Sequence, residues 1–209
     1  MNFIKLLIIV SCISIFVTSC SKNNLHVLRG NAFGSIYHVT FNTKSDPDLI
    51  DVKSNIENII SLIDRAASSY NYNSEISVFN RLSHTRFITI SSNLSNILQK
   101  SNLASEMTNG FFDITVGNIK IYKGFYGHLK SNIVNKGSTF DFKDIVLSQN
   151  KNLLRKNSID INVDLSGIAK GYAVDLIYNY LLSKDINNFV VNIGGEIKVH
   201  SNFDPLPVS

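Results

Sequence analysis

Cysteine is scarce in this chain: there are two among 209 residues, at positions 12 and 20. No thiol lies beyond residue 20. The folded body therefore has no disulfide framework, no thiolate metal site and no cysteine nucleophile, and it must stand on its core. Runs of lysine and arginine are also lacking; the basic residues are scattered and the formal charge is only +4, a pattern that argues against a nucleic-acid partner. No internal repeat, low-complexity stretch or long linker divides the chain, which leaves one domain of ordinary size. The sequence contains no His-Glu-x-x-His, no P-loop, no Gly-x-Ser-x-Gly and no Gly-x-Gly-x-x-Gly. His26, His38, His84, His128 and His200 show no metal-ligand spacing. What is present is enough apolar residue, 44%, to build a globular core.

The first residues have a different character. Lys5 gives a short charged start, and Leu6 to Val17 is almost unbroken apolar sequence. That run is shorter than the roughly 20 residues a spanning helix needs, so the layout is that of a secretory signal. It exits through Val17-Thr18-Ser19-Cys20, which resembles the lipobox of bacterial lipoproteins, where cleavage precedes a diacylglycerol-bearing cysteine. The reading is a signal peptide over 1–19, with Cys20 lipidated and followed by a polar tether from Ser21. Cys12 leaves with the signal.

Beyond the tether, strands and helices alternate. Tyr37, Val39 and Phe41 fall on one face of a strand over Ile36–Phe41. Asp46-Pro47 suggests a helix start, and Leu49, Val52, Ile56, Ile59 and Ile63 supply one stripe of that helix. Phe87–Ile90 reads as a short strand. Ser91 or Ser92 caps a second helix carrying Leu94, Ile97, Leu98 and Met107, with Gly110 as its stop. Ile159, Ile161, Val163 and Leu165 alternate with polar residues, which reads as a strand. A Ser166-Gly167 turn, a third helix and a strand at Phe189–Ile193 complete a strand–helix–strand unit. The polar stretch 118–150 shows no assignable pattern. The fold class is α+β, a mixed α/β arrangement.

Four constellations can carry chemistry. Gly30-Asn31-Ala32-Phe33-Gly34-Ser35 is a Gly-bracketed turn where backbone can approach a ligand, or a plain turn or bulge. Ser68 to Ile76 is dense in turn formers, and its Tyr70 and Tyr72 can stack on a flat ring or simply pack. Thr108 to Gly117 holds Phe111, Phe112 and Asp113, the last able to serve a ligand edge or a helix end. The most informative run is Val163 to Asp175. There Asp164 ends the expected strand, and Lys170 sits in the first turn of the following helix, where a cation opposes the helix dipole. A bound anion would resolve that conflict, and a helix N-terminus suits a phosphate.

In this order the segments Gly30–Tyr37, Ser69–Asn80, Thr108–Val116, Asp164–Asp175 and Val191–Glu196 resemble the ApbE family, the FAD:protein FMN transferases. The resemblance covers Gly30 to about Ile197 and implies a T-fold-like domain over 30–209, with 20–29 as lipidated cysteine and tether. It implies an enzyme that takes FAD and Mg²⁺, transfers FMN to a Thr or Ser hydroxyl of an acceptor protein, and releases AMP. The implied acceptor is a respiratory electron-transfer subunit, and the implied location is the periplasmic face of the inner membrane, held by the lipid anchor. Carried over by position, the flavin contacts fall on Phe33, Tyr70, Phe111, Phe112, Asp113, Asp164 and Lys170, and one metal contact on the backbone carbonyl of Gly167. Phe33 stands where the family usually has Met, and Phe111 where a smaller residue is common. Family members continue into a Thr-Ser-Gly-like motif with an acidic residue that supplies further metal ligands; this chain stops at Pro205-Leu206-Pro207-Val208-Ser209. The expectation is a domain incomplete at its C-terminus, with uncovered strand edges and weak or no catalysis. Two other readings remain open: a non-catalytic FAD-binding lipoprotein, and a metal-dependent FAD pyrophosphatase.

Overall fold

Alternating apolar residues, paired through tight turns, build the main sheet. In the computed structural model, which describes residues 24–43, 47–125, 140–148 and 151–201, β1 (Asn24–Ala32) pairs antiparallel with β2 (Ser35–Thr43) through a two-residue turn. The sheet continues through β6 (Asn188–Ile193) and β7 (Glu196–Ser201), in the order β1-β2-β6-β7. All three pairings are antiparallel. Tyr37, Val39 and Phe41 lie opposite Ile193, Val191 and Phe189, and all six are fully buried. The period-two reading of this strand therefore holds, and these side chains form the sheet's contribution to the core. The tether is shorter than expected, because residues 24–29 form most of β1. The signal sequence and Cys20 lie outside the described residues.

Two helices cover that inner face. In α1 (Leu49–Ala67) the buried stripe is Val52, Ile56, Ile60 and Ile63, continued by Ala66 and Ala67. Leu49 is exposed and Ile59 only partly buried, so the stripe is rotated toward Ile60 from the expected one. The expected cap, Asp46, lies outside the described residues; the N-cap is Asp48, whose Oδ1 accepts from the N–H groups of Ile50 at 2.9 Å and Asp51 at 3.1 Å. The third helix of the sequence reading, Ala169–Ser183, packs on α1, β6 and β7 through Tyr172, Ala173, Ile177 and Leu181.

A smaller sheet lies beside this layer, in the order β3 (Ile88–Thr89), β5 (Leu153–Lys156), β4 (Ile145–Ser148). It contacts a helix over Ser92–Met107 capped by Ser91, whose Oγ accepts from Leu94 N at 3.2 Å. Short helices at Glu75–Asn80 and Gly117–Tyr122 complete the architecture. In chain order the helices after α1 are α2 (Glu75–Asn80), α3 (Ser92–Met107), α4 (Gly117–Tyr122) and α5 (Ala169–Ser183). Helix α4, the turn Phe142–Asp144 and β4 occupy parts of the stretch that the sequence left unassigned.

One expectation is corrected. Residues 159–160 form a turn and 161–165 pair with no strand, so the strand–helix–strand unit lacks its first strand. Ile161, Val163 and Leu165 are buried, which accounts for the alternation, while side chains supply the hydrogen bonds a sheet would have given. Asn80 grips Val163 on both sides: Oδ1 accepts from Val163 N at 2.8 Å, and Nδ2 donates to Val163 O at 2.8 Å. Lys156 Nζ donates to Ile159 O and Ile161 O, and Asn118 Nδ2 donates to Asp160 O. Helix α4 can come this close because residue 117 is glycine. A β-carbon there would sit 2.3 Å from the Asn162 carbonyl oxygen.

Candidate functional site

The β1–β2 turn, the end of α1 and the start of α5 converge on a cavity of about 530 Å³. Its walls come from Phe33 and Gly34 in the turn, from Asp64 and the run Ala67–Asn71 after α1, and from Ser166, Ala169 and Lys170. Each wall is held by an identifiable device. Phe33 and Gly34 form the whole β1–β2 loop, both at positive φ (51° and 73°), which a two-residue hairpin with right-twisted strands demands. Gly34 takes that conformation freely, whereas Phe33 takes it under strain, at a cost on the order of 1 kcal/mol. The loop after α1 is tied by Ser74 Oγ and Ser77 Oγ, which both donate to Ser68 O at 2.6 and 3.2 Å. Asn71 Nδ2 donates to Asp64 Oδ2 at 3.0 Å.

The cavity's surface suits a ring system that carries phosphate. Tyr70 is 63% exposed and Phe33 lies across the same space, so two aromatic rings line it. At the other end stand Lys170 and the start of α5, a helix whose N-terminus no side chain caps. Lys170 Nζ is 3.7 Å from Glu196 Oε1 and 3.5 Å from the Gly194 carbonyl oxygen, a loose arrangement that leaves the ammonium within reach of a ligand. Ser69 Oγ, on the wall between these ends, is buried with no hydrogen-bond partner. A buried hydroxyl without a partner costs roughly 1–3 kcal/mol, and a ligand's polar atom would satisfy it. These features suit a ligand that carries a flat ring and an anionic group.

The seven positions assigned to flavin contact separate into two groups. Phe33, Tyr70 and Lys170 meet at the cavity, while Phe111, Phe112, Asp113 and Asp164 are not among its lining residues. Phe111 is 96% exposed. The Phe112 ring edge lies against Gly167, with Cε2 3.3 Å from where a β-carbon on that residue would stand. Asp113 acts as a turn carboxylate: Oδ1 accepts from Thr115 N (2.7 Å) and Thr115 Oγ1 (2.8 Å), and Oδ2 accepts from Phe142 N (3.1 Å). Asp164 is buried and paired with Lys120 at 2.7 Å. The sequence reading missed Ser166 and Ser69 as wall residues, although both lay in the segments it singled out. It missed Lys120 because the stretch around it has no clear periodicity.

The same inspection tests the metal. Among the described residues no three His, Cys, Asp or Glu side chains stand close enough together to hold an ion. Asp164 already balances a lysine, and Asp113 already accepts three hydrogen bonds. The carbonyl of Gly167 is a hard oxygen of the kind Mg²⁺ uses, but one carbonyl is not a site. The described residues alone therefore do not make a Mg²⁺ site.

The strained hairpin residue gives a direct prediction. Phe33→Asn places the favoured Asn-Gly pair in the turn and removes one aromatic wall. Strain relief offsets the loss of a partly buried ring, so stability in chemical denaturation is expected to stay within about 1 kcal/mol of the parent. Affinity for a flat-ring ligand of this cavity is expected to fall about fivefold, since one ring contact is worth on the order of 1 kcal/mol.

The ApbE family model matches residues 33–207, and the chain belongs to that family. A FAD:protein FMN transferase of Vibrio cholerae is 28% identical over 203 residues, covering 92% of this chain and 60% of that protein. One from Chlamydia pneumoniae is 29% identical over 203 residues, covering 93% of this chain and 62% of that protein. The solved flavin transferase ApbE of Vibrio cholerae superposes with a TM-score of 0.78 at 25% identity, over 86% of this chain and 60% of that structure. The α+β architecture is thus that of ApbE flavin transferases. The chain spans about three fifths of the length of the curated relatives it matches.

Proposed function

We propose that the cavity binds FAD and that the chain serves FAD:protein FMN transfer. The observation that carries the reading is the meeting of Phe33, Tyr70, the unpartnered Ser69 hydroxyl and Lys170 around one space of about 530 Å³. FAD supplies a pyrophosphate whose cleavage drives the reaction. In that reaction a Thr or Ser oxygen of an acceptor protein bonds to the FMN phosphorus, the P–O bond to AMP breaks, and the hydroxyl proton is released. Tyr70 and Phe33 orient the flavin. Lys170 and the start of α5 neutralise charge on the phosphates. Dependence on Mg²⁺ belongs to this reading through the family resemblance alone. The acceptor class, a respiratory electron-transfer subunit, rests on the same ground.

The test is to incubate the chain with FAD, Mg²⁺ and a purified flavin-carrying respiratory subunit, following AMP and protein-bound flavin. Transfer gives equal AMP and covalently flavinylated acceptor. AMP with free FMN would mean a pyrophosphatase. Saturable FAD binding with no AMP would mean a flavin-binding lipoprotein that does not transfer.

We also propose that the chain is anchored through Cys20 to the periplasmic face of the inner membrane. Val17-Thr18-Ser19-Cys20 supports this. Cys20→Ser is expected to move the protein from the membrane fraction to the soluble fraction, because a thioether-linked lipid provides nearly all its membrane affinity. A parent chain found in the soluble fraction would refute the anchor.

A further inference from the structure

The turn that opens α5 is gripped from one side by α4. Lys120 Nζ lies 2.7 Å from Asp164 Oδ2 and donates to Ser166 Oγ at 2.6 Å. Ser166 N donates to Asp164 Oδ1 at 2.7 Å, so lysine, aspartate and serine close a ring of three contacts. The Asp164 side chain is 2% exposed, and the ammonium balances its charge. Ser166, by contrast, is exposed and lies on the cavity wall with Lys170. An ammonium only donates hydrogen bonds. Ser166 Oγ is therefore the acceptor toward Lys120, and its single O–H is directed away from that lysine. On this wall the neighbours are Lys170 and the α5 N-terminus, both of which favour an anion.

We infer that Ser166 binds a phosphate oxygen of the cavity's ligand and that Lys120 is its positioning residue, turning the hydroxyl proton toward that oxygen. The inference rests on the flavin-nucleotide reading and sharpens it: the atom recognised here is a pyrophosphate oxygen and not a carbonyl of the flavin ring. Asp164 then has a structural part. It fixes the ammonium that fixes the hydroxyl.

Equilibrium titrations of the whole chain in mild detergent, with FAD and separately with riboflavin, decide the matter. Ser166→Ala lowers FAD affinity about tenfold, the worth of one hydrogen bond to a charged oxygen, and leaves riboflavin affinity unchanged. Lys120→Met has the same effect on FAD, Lys120→Arg restores most of the affinity, and the K120M/S166A double variant is no weaker than either single one. Equal weakening of FAD and riboflavin would show that Ser166 only shapes the wall. Multiplying losses in the double variant would show that Lys120 does not act through Ser166. An S166A chain that binds FAD as the parent does overturns this inference alone, whereas a parent that binds no FAD overturns the flavin reading and this inference with it. Thermal unfolding of each variant separates loss of fold from loss of contact. Should K120M unfold, K120R and S166A still give the answer.

Discussion

Replacing Lys156 with methionine is expected to lower the stability of the fold by about 3 kcal/mol, the largest effect of any single change considered. Lys156 is fully buried, and its Nζ donates to three carbonyls: Asn80 O and Ile159 O at 2.9 Å and Ile161 O at 3.1 Å. Methionine fills the volume and leaves all three acceptors without that donor. Each unsatisfied carbonyl costs roughly 1–3 kcal/mol, and relief from burying an ammonium offsets part of the sum. The same residue imposes a pH dependence. Burial lowers the Lys156 pKa from 10.5 to about 8, with only Asp160 opposing the shift. Between those values the unfolded chain binds the proton and the folded chain releases it, so stability rises with pH across the window. Chemical denaturation at pH 7.5 and 9.5 is expected to show the parent about 1–2 kcal/mol more stable at the higher pH and K156M nearly unchanged. Above pH 10 the trend reverses, because burial raises the pKa values of Tyr37 and Tyr180 and the unfolded tyrosines ionise first. A parent whose stability falls between pH 7.5 and 9.5 would contradict this account of Lys156.

Lys170→Met is expected to weaken FAD binding about 10- to 100-fold while leaving the fold as stable as before. The asymmetry follows from what Lys170 does without ligand. Its pair with Glu196 is long, 3.7 Å, and both side chains are partly exposed, so the pair is worth at most about 1 kcal/mol. A cation in the first turn of α5 opposes the helix dipole by a few tenths of a kcal/mol, which removal would recover. With a pyrophosphate present, the same charge sits opposite an anion at a helix N-terminus, where charge-assisted hydrogen bonds are strong. Riboflavin carries no phosphate, and its affinity should not change. A K170M chain that binds FAD as tightly as the parent would remove the phosphate end of the site.

Much of the fold was legible wherever burial and backbone pairing coincide. The Tyr37–Val39–Phe41 face and the Ser91 cap follow from period and capping chemistry, and both stand in the structure. Where the two separate, the sequence misleads. Ile161, Val163 and Leu165 alternate as a strand does because one face is buried, yet the backbone of 159–163 is held by the nearby Lys156 and by Asn80 and Asn118 from distant parts of the chain. No local pattern announces a hydrogen bond made across 83 residues. The site divides in the same way. Lys170 was legible because a cation in a helix's first turn is a local contradiction, and Tyr70 because a ring among turn formers stands out. Asp113 and Asp164 lie outside the cavity wall, and their oxygens accept hydrogen bonds from Thr115, Phe142, Ser166 and Lys120. Lys120, between Ile119 and Ile121, offered no signal of its pairing with Asp164, because only the packing of α4 on the extended segment brings the two together.

The most direct test of the account is an equilibrium titration of the whole chain with FAD, followed by quenching of flavin fluorescence and repeated with riboflavin. The account predicts saturable binding of one FAD per chain, tighter than riboflavin, with the difference abolished in K170M. Failure of FAD to saturate, or equal affinity for FAD and riboflavin in the parent chain, would contradict it.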